Sequence, residues 1–131
     1  MSVLEGKCLC GQLKYEVQGD IKKVVNCHCN LCRNMNGAAF SSYAVVLTGD
    51  FDITQGEVKR FAISQHSQKY FCEHCGTPIY NRNPKYAGLT MLYLGTLENP
   101  GLSKPDVNIY CDSELDWTSA VGDIPKFAQG I

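Results

Sequence analysis

Seven of the eight cysteines in this chain fall into three short clusters, and their spacing is typical of metal ligands. The clusters are Cys8-x-Cys10, Cys27-x-Cys29-x-x-Cys32 and Cys72-x-x-Cys75, whereas Cys111 stands alone. A disulfide framework usually spreads its cysteines along the chain. Thiolates one or two residues apart can instead converge on a single ion, so the clusters predict metal binding.

Cys72-x-x-Cys75-Gly76 predicts a metal knuckle at the tip of a hairpin. Gly76 would let the backbone amides approach the sulfur atoms, because it has no side chain. A knuckle needs two further ligands, and Cys8 and Cys10 could supply them, since side chains at i and i+2 of an extended segment point to the same side. Four thiolates would then form the closed tetrahedral site that is typical of structural zinc.

Two other arrangements of these thiols stay open at this point. Cys8 and Cys10 could join the middle cluster instead, which would close a shorter loop. The two pairs could also be unrelated free thiols, although four unpaired thiols at metal-like spacings would be a rare coincidence.

Cys27, Cys29 and Cys32 would leave a tetrahedral ion one ligand short. A water molecule or a substrate thiol can occupy such an open position, which distinguishes catalytic from structural zinc. The alternative is a second structural site, closed by His28, Cys111 or another side chain. His28 lies between two candidate ligands, so we expect its side chain to point away from the ion.

The segments around the clusters are predicted to form short antiparallel β-strands. Residues 12–18 alternate strictly between polar and apolar side chains, which is typical of a half-buried strand. Runs of β-branched and aromatic residues between turn residues predict further strands at 40–47, 51–54, 58–64, 69–72, 77–81, 89–95 and 106–111. Residues 32–39 and 112–120 could each hold a short helix at most. The prediction is a mainly β single domain over residues 1–131.

Charge and hydropathy argue against several classes of function. The net charge is −1 and no basic block occurs, which argues against binding to nucleic acid or to an anionic membrane. No apolar run approaches the ~20 residues of a membrane helix. The first residues lack the pattern of a signal peptide, so we expect a cytoplasmic protein, whose thiols stay reduced. No feature of the sequence specifies an oligomeric state.

The other side chains that could do chemistry favour ordinary structural roles. His66 lies in a polar turn and His74 lies inside the knuckle, so both are expected at the surface. Four aromatic residues are expected in the core rather than around a cofactor: Tyr15, Tyr43, Phe61 and Trp117.

Three motifs carry a resemblance to a known family. They are Gly6-Lys-Cys8-Leu-Cys10-Gly11-Gln-Leu13-Lys-Tyr15, Cys27-His28-Cys29-x-x-Cys32-Arg33-x-x-x-Gly37 and Phe71-Cys72-x-x-Cys75-Gly76-Thr77-x-Ile79-Tyr80. Together they resemble the glutathione-dependent formaldehyde-activating enzyme family, which includes the centromere protein V group. Gly95-Thr96-Leu97 and residues 117–127 are similar to that family as well.

The resemblance implies an all-β "β-tent" fold with two zinc ions per chain. It implies a structural zinc on Cys8, Cys10, Cys72 and Cys75, and a catalytic zinc on Cys27, Cys29 and Cys32. It also implies a carbon–sulfur lyase that is similar to S-(hydroxymethyl)glutathione synthase, which joins glutathione and formaldehyde. Asn108 departs from the pattern, because many members carry a His there, and Cys111 is outside the family's metal set.

The implied reaction makes further demands on the site. Three thiolates leave zinc with a formal charge of −1, which favours holding a substrate thiolate over activating a carbonyl. Glutathione carries two carboxylates, so its pocket should contain cations. The candidates are Arg33, Arg60, Arg82 and Lys85, although surface positions are the commoner place for each of them.

Two functions of other classes stay open beside the enzyme. One is a non-catalytic zinc module that binds another protein through its surface. The other is a transient zinc or redox store that uses Cys27, Cys29 and Cys32 as exchangeable thiols, so that their reversible oxidation releases the zinc. Access to the three-cysteine site distinguishes the enzyme from the binding module, because only an open site takes up added thiols.

Overall fold

The computed structural model describes residues 3–131, which form ten short β-strands and one α-helix. The strands are β1 (Val3–Lys7), β2 (Lys14–Gln18), β3 (Lys23–Cys27), β4 (Ser41–Leu47), β5 (Phe51–Gln55), β6 (Val58–Ala62), β7 (Gln68–Cys72), β8 (Pro78–Arg82), β9 (Leu89–Tyr93) and β10 (Val107–Ile109), and the helix is α1 (Asn30–Asn36). Short 3-10 helices occupy Thr48–Asp50, Pro84–Tyr86, Leu94–Thr96, Pro100–Leu102, Cys111–Ser113 and Thr118–Asp123. Across residues 3–131, no helix has the length and apolar character needed to cross a membrane.

The strands form two sheets, so the mainly β single-domain prediction is confirmed. One sheet has three strands in the order β1-β2-β5, and the other has seven in the order β10-β3-β4-β9-β8-β7-β6. All pairs are antiparallel except β10 with β3, which run parallel. The antiparallel prediction is therefore wrong for that one pair. That the two sheets make the β-tent of the family stays a prediction.

All eight predicted strands are present, with ends shifted by no more than two residues. The sequence analysis missed β1 and β3. β1 has the sequence Val-Leu-Glu-Gly-Lys. Its two apolar residues are adjacent rather than alternating, and Gly6 has a low β-strand propensity. β3 has only two apolar residues in a row, Val24 and Val25. Both strands are stabilised by their neighbours in the sheets rather than by a local pattern.

Two buried clusters make the core. The larger includes Leu13, Tyr15 and Val17, which confirms the alternation predicted for residues 12–18. The smaller consists of Val25, Cys27, Tyr43 and Tyr93, and Cys29 and Cys32 pack against it. The three-cysteine cluster therefore lies on one of the two cores.

Two of the four aromatic residues expected in the core are exposed instead. Tyr15 and Tyr43 are buried, but Phe61 is 57% exposed and Trp117 is 56% exposed. Phe61 lies on β6, which is the edge strand of the larger sheet, so no neighbouring strand covers it. Trp117 lies just before residues 119–131, which are all exposed. No core therefore surrounds its side chain.

Candidate metal centres

The three cysteines of the middle cluster are brought together by the turn from β3 into α1. Cys27 is the last residue of β3, and Cys29 is the N-cap of α1 with an extended backbone (φ −68°, ψ 151°). Cys29 Sγ accepts a hydrogen bond from the backbone N–H of Cys32 over 3.2 Å. The sulfur therefore caps the helix N-terminus as the side-chain oxygen of Ser or Asp usually does. α1 ends at Gly37, whose left-handed backbone (φ 62°) is the usual end of a helix.

The spacing of these sulfur atoms fits a tetrahedral ion. Zn–S bonds of about 2.3 Å place the sulfurs of a tetrahedral site about 3.8 Å apart. Cys27 Sγ and Cys32 Sγ are 3.6 Å apart, and the three ligand atoms all lie within 4.8 Å of one another. The cluster could therefore hold a metal ion with three protein ligands.

Hydrogen bonds and burial give the three thiols of the cluster different pKa values. The Cys32 thiol donates to Cys27 Sγ, which lowers the pKa of Cys27. The same hydrogen bond, together with burial, raises the pKa of Cys32 well above its usual range. Burial raises the pKa of Cys29. The thiol of Cys27 therefore loses its proton more readily than the thiols of Cys29 and Cys32.

A chain of buried polar side chains reaches the cluster from the sheet. Tyr43 Oη donates to Cys32 Sγ, and Asn81 Nδ2 donates to Tyr43 Oη over 3.1 Å. Tyr93 Oη donates to Asn81 Oδ1 over 2.9 Å. Tyr43, Asn81 and Tyr93 come from β4, β8 and β9, and the sequence analysis did not identify them as a group. No local motif could have found them, because the strand pairing alone brings them together.

Neither His28 nor Cys111 belongs to the three-cysteine cluster among the described residues. His28 is buried, and its Nε2 lies 3.0 Å from Asn108 Oδ1, which accepts the hydrogen bond. The imidazole therefore points away from the sulfurs, as predicted. Its Nδ1 has no hydrogen-bond partner in the described part of the chain. Cys111 is exposed.

The three cysteines face a cavity of about 440 Å³. Cys27, Cys29 and Cys32 all line it, and Tyr43 and Asn81 line it as well. A small molecule in the cavity would therefore meet the sulfur atoms directly. An ion held by these three cysteines would lie beside the cavity, whereas a closed structural site would have four protein ligands.

The predicted cations do not line this cavity within the described structure. Arg33 Nη1 donates to the backbone carbonyl of Ser113, and the guanidinium also contacts Asn30. Arg82 stacks on the ring of Tyr80, 4.8 Å from its centroid. The other two candidates, Arg60 and Lys85, are exposed. None of the four candidates therefore lines this cavity, and Arg60 and Lys85 lie at the surface, which is the position expected as the commoner one.

The remaining four cysteines of the clusters form a second group of sulfurs. Cys8 and Cys10 follow β1, and Cys72 and Cys75 span the turn between β7 and β8. Cys8 Sγ is 3.5 Å from Cys10 Sγ, and Cys10 Sγ is 3.9 Å from Cys72 Sγ. All four sulfurs lie within 4.8 Å of one another. The structure thus brings Cys8 and Cys10 to the knuckle rather than to the middle cluster.

Local hydrogen bonds support this second group. Thr77 contacts Cys75 Sγ through its hydroxyl over 3.1 Å, and it lowers the pKa of Cys75 to about 5. The same hydroxyl accepts the backbone N–H of Leu9 over 3.1 Å, which ties the two halves of the site together. Gly76 has a φ of 79°, as the knuckle turn requires. Four sulfur donors in this arrangement could hold a metal ion as a closed site.

Comparisons with known proteins show which family this chain belongs to. The sequence model of the glutathione-dependent formaldehyde-activating enzyme family matches residues 3–113. A Halomonas elongata protein whose name assigns it to these enzymes is 24% identical over 128 residues, which covers 88% of this chain and 79% of that protein. A Podospora anserina protein with the same name is 27% identical over 117 residues, which covers 84% of this chain and 55% of that protein.

A third curated protein and a solved structure are also similar to this chain. A Schizosaccharomyces pombe protein named an uncharacterized lyase is 30% identical over 81 residues, which covers 61% of this chain and 58% of that protein. This chain therefore spans just over half the length of two of the three relatives. The crystal structure of a Rhodobacter sphaeroides protein shares the fold with a TM-score of 0.65 at 18% identity, covering 79% of this chain and 98% of that one. Since the family model covers most of its length, this chain belongs to the glutathione-dependent formaldehyde-activating enzyme family.

Proposed function

We propose that this chain is a zinc-dependent carbon–sulfur lyase that acts on a small thiol adduct, with a reaction resembling that of S-(hydroxymethyl)glutathione synthase. Zinc would be held at two sites in one domain of residues 1–131. Cys8, Cys10, Cys72 and Cys75 would hold a structural ion, and Cys27, Cys29 and Cys32 would hold a catalytic one. The observation that carries the proposal is the opening of the three-cysteine cluster onto a cavity.

The proposed reaction joins a thiol and formaldehyde without oxidation or reduction. The bond between sulfur and the aldehyde carbon forms, and the thiol proton is transferred to the aldehyde oxygen, which becomes the hydroxyl of an S-hydroxymethyl group. The family's name gives glutathione as the thiol. The reverse reaction breaks the same bond and returns the proton to sulfur.

The side chains around the cluster would position the reactants. When bound, zinc supplies an open coordination position that keeps a substrate sulfur ionised at neutral pH. Tyr43 and Asn81 fix the position of Cys32 through hydrogen bonds. The cavity walls hold the substrate near the sulfurs and limit the access of water, so proximity supplies much of the acceleration.

Elemental analysis of protein purified without chelator tests the metal assignment first. We expect about two zinc ions per chain. The zinc-loaded protein should then speed formation of the S-hydroxymethyl adduct beyond its spontaneous rate, with the formaldehyde consumed equal to the adduct formed. One zinc per chain and no acceleration would favour an exchangeable thiol store or a binding module over the enzyme.

A further inference from the structure

The walls of the cavity beside the three cysteines are apolar. They are formed largely by Val25, Met35, Val45, Leu89, Met91 and Ile109. The rim is formed in part by Tyr86 and Tyr110, whose hydroxyl oxygens are 3.4 Å apart. A substrate that reaches the sulfurs must therefore lose water against hydrocarbon surfaces.

Apart from the three cysteines, no described residue that lines this cavity has an ionic side chain: Asp, Glu, Lys, Arg and His are all absent from its walls. The polar side chains of the lining, besides the thiols and the tyrosines, are Ser64, Ser67, Asn81 and Asn83. Asn81 is already engaged by two tyrosines, and Asn83 Nδ2 donates to Ser67 Oγ over 3.3 Å. These neutral groups can bind a hydroxyl or an amide, but they cannot neutralise a carboxylate.

The cations around the cavity are turned to other partners. Lys69 Nζ donates to Asn36 Oδ1 over 3.1 Å. Arg82 Nε donates to Thr90 Oγ1 over 3.1 Å while its guanidinium stacks on Tyr80. Lys85 is exposed, and its Nζ lies 5.6 Å from the ring centroid of Tyr86. A carboxylate inside the cavity would therefore have no charged partner.

The charge of the zinc-loaded cysteine cluster would also disfavour a carboxylate in the cavity. Three thiolates and one divalent ion sum to −1, so the site repels a second anion, and the repulsion is strong where the walls exclude water. Glutathione carries two carboxylates, one at the end of each arm that flanks its thiol. With its sulfur at the three cysteines, both arms would have to follow apolar walls beside a negative site.

We infer that the thiol substrate of this site is neutral and apolar near its sulfur, and that glutathione is a poor substrate. This inference rests on the proposed function, because it assumes that a thiol reacts at the three-cysteine site. It assigns the substrate class by matching a cavity that has no cationic side chain with a ligand that has no anionic group beside its thiol.

Two thiols that differ by one charge test the inference. N-acetylcysteine carries a carboxylate, and its methyl ester is neutral and has almost the same shape. Each thiol is titrated into the full chain loaded with cobalt in place of zinc, and binding is read from the change in the absorption bands of the cobalt thiolate site. After correction for the two thiol pKa values, we expect the ester to bind at least ~10-fold more tightly. Glutathione should behave like the acid.

A rim variant checks that charge is the cause. Leu31 lines the cavity and is 55% exposed, so Leu31→Arg adds a cation at the entrance without burying it. This variant should reduce the preference for the ester several-fold. The matched control is Leu102→Arg, because Leu102 is 84% exposed and does not line the cavity, and it should keep the wild-type preference.

The outcomes separate the inference from the proposed function. Equal or tighter binding of the acid by the wild type would overturn the inference and leave the proposed function standing. An unchanged preference in Leu31→Arg would also overturn it, because charge would then not decide the selectivity. If neither thiol alters the cobalt spectrum, the three-cysteine site takes no thiol, and the proposed function and the inference fail together.

Discussion

The phenolic oxygen of Tyr43 donates a hydrogen bond to the sulfur of Cys32 over 3.2 Å. Burial raises the pKa of Tyr43, so the phenol keeps its proton and stays a donor. Asn81 fixes the phenol from the other side through its Nδ2. Cys32 therefore differs from its two neighbours in the cluster by a buried hydroxyl that withdraws charge from its sulfur.

Tyr43→Phe should weaken the three-cysteine metal site without unfolding the chain. The variant keeps the buried ring and removes the donor to Cys32, and the loss of such an outer hydrogen bond typically lowers metal affinity by about 10- to 100-fold. The charge-transfer bands of the cobalt form should shift, because the sulfur becomes a stronger donor. Competition with a chelator measures the affinity, and the absorption spectrum measures the shift.

Tyr15→Phe is the matched control for that experiment. Tyr15 is equally buried, and its hydroxyl hydrogen-bonds Thr96 Oγ1 over 2.7 Å rather than a thiol. It should leave the cobalt spectrum unchanged. Equal spectral effects of the two variants would contradict a specific role for the hydrogen bond between Tyr43 and Cys32.

Cys75→Ser should remove one metal ion and destabilise the fold, whereas Cys111→Ser should do neither. Cys75 belongs to the four-sulfur group that joins the chain after β1 to the turn between β7 and β8, and Cys111 is exposed outside both groups. We expect zinc content to fall from about two to about one per chain. The loss of ~3 kcal/mol or more would lower the unfolding temperature by about 10 °C.

Elemental analysis and thermal unfolding measure both effects on the same samples. Cys75→Ser protein that still holds two zinc ions would contradict a four-thiolate site.

Gly6→Ala should be strongly destabilising because of a close approach between two strands. Gly6 on β1 lies opposite Tyr15 on β2, and an added Cβ would overlap the Tyr15 ring. The ring cannot move away, since Tyr15 is 1% exposed. We expect a loss of ~3 kcal/mol in the free energy of unfolding.

Gly49→Ala is the control, because a Cβ at Gly49 would meet open space. Its effect should stay within ~0.5 kcal/mol. Denaturant unfolding compares the two variants, and similar losses for both would show that the overlap with Tyr15 is relieved.

Tyr15 should also make the stability depend on alkaline pH. Burial raises the pKa of Tyr15 to about 12, from an ordinary value of 10. Above pH 10 the unfolded chain releases the phenolic proton while the folded chain retains it, so folding loses stability as the pH rises. This loss of folding stability is absent at neutral pH and reaches about 1.4 kcal/mol at pH 11.

The comparison with Tyr15→Phe isolates this contribution. At pH 8 the variant should be less stable than the wild type by ~1 kcal/mol, through loss of the hydrogen bond to Thr96. At pH 11 the difference should shrink to about zero or reverse, because only the wild type bears the cost of the retained proton. A constant difference between the two pH values would show that the pKa of Tyr15 is not raised.

The local features of this protein could be read from the sequence alone. Eight strands could be predicted from the alternation of polar and apolar residues and from runs of β-branched residues. The alternation is informative because successive side chains of a strand point to opposite faces of the sheet. The three cysteine clusters follow from ligand spacing, because neighbouring sulfurs must converge if they bind one ion. The predicted direction of His28, away from the cluster, follows from its place between two ligands.

The tertiary structure decided what depends on residues far apart in the chain. It brought Cys10 within 3.9 Å of Cys72 and left the middle cluster with three sulfurs, a choice that the spacing left open. It assembled Tyr43, Asn81 and Tyr93 from three strands, and it turned the arginines away from the cavity. Strand register and packing set such contacts, and a strand's own sequence does not specify its partner. The candidate metal ligands were therefore visible in the sequence, whereas the apolar lining of the cavity beside them emerged only from the fold.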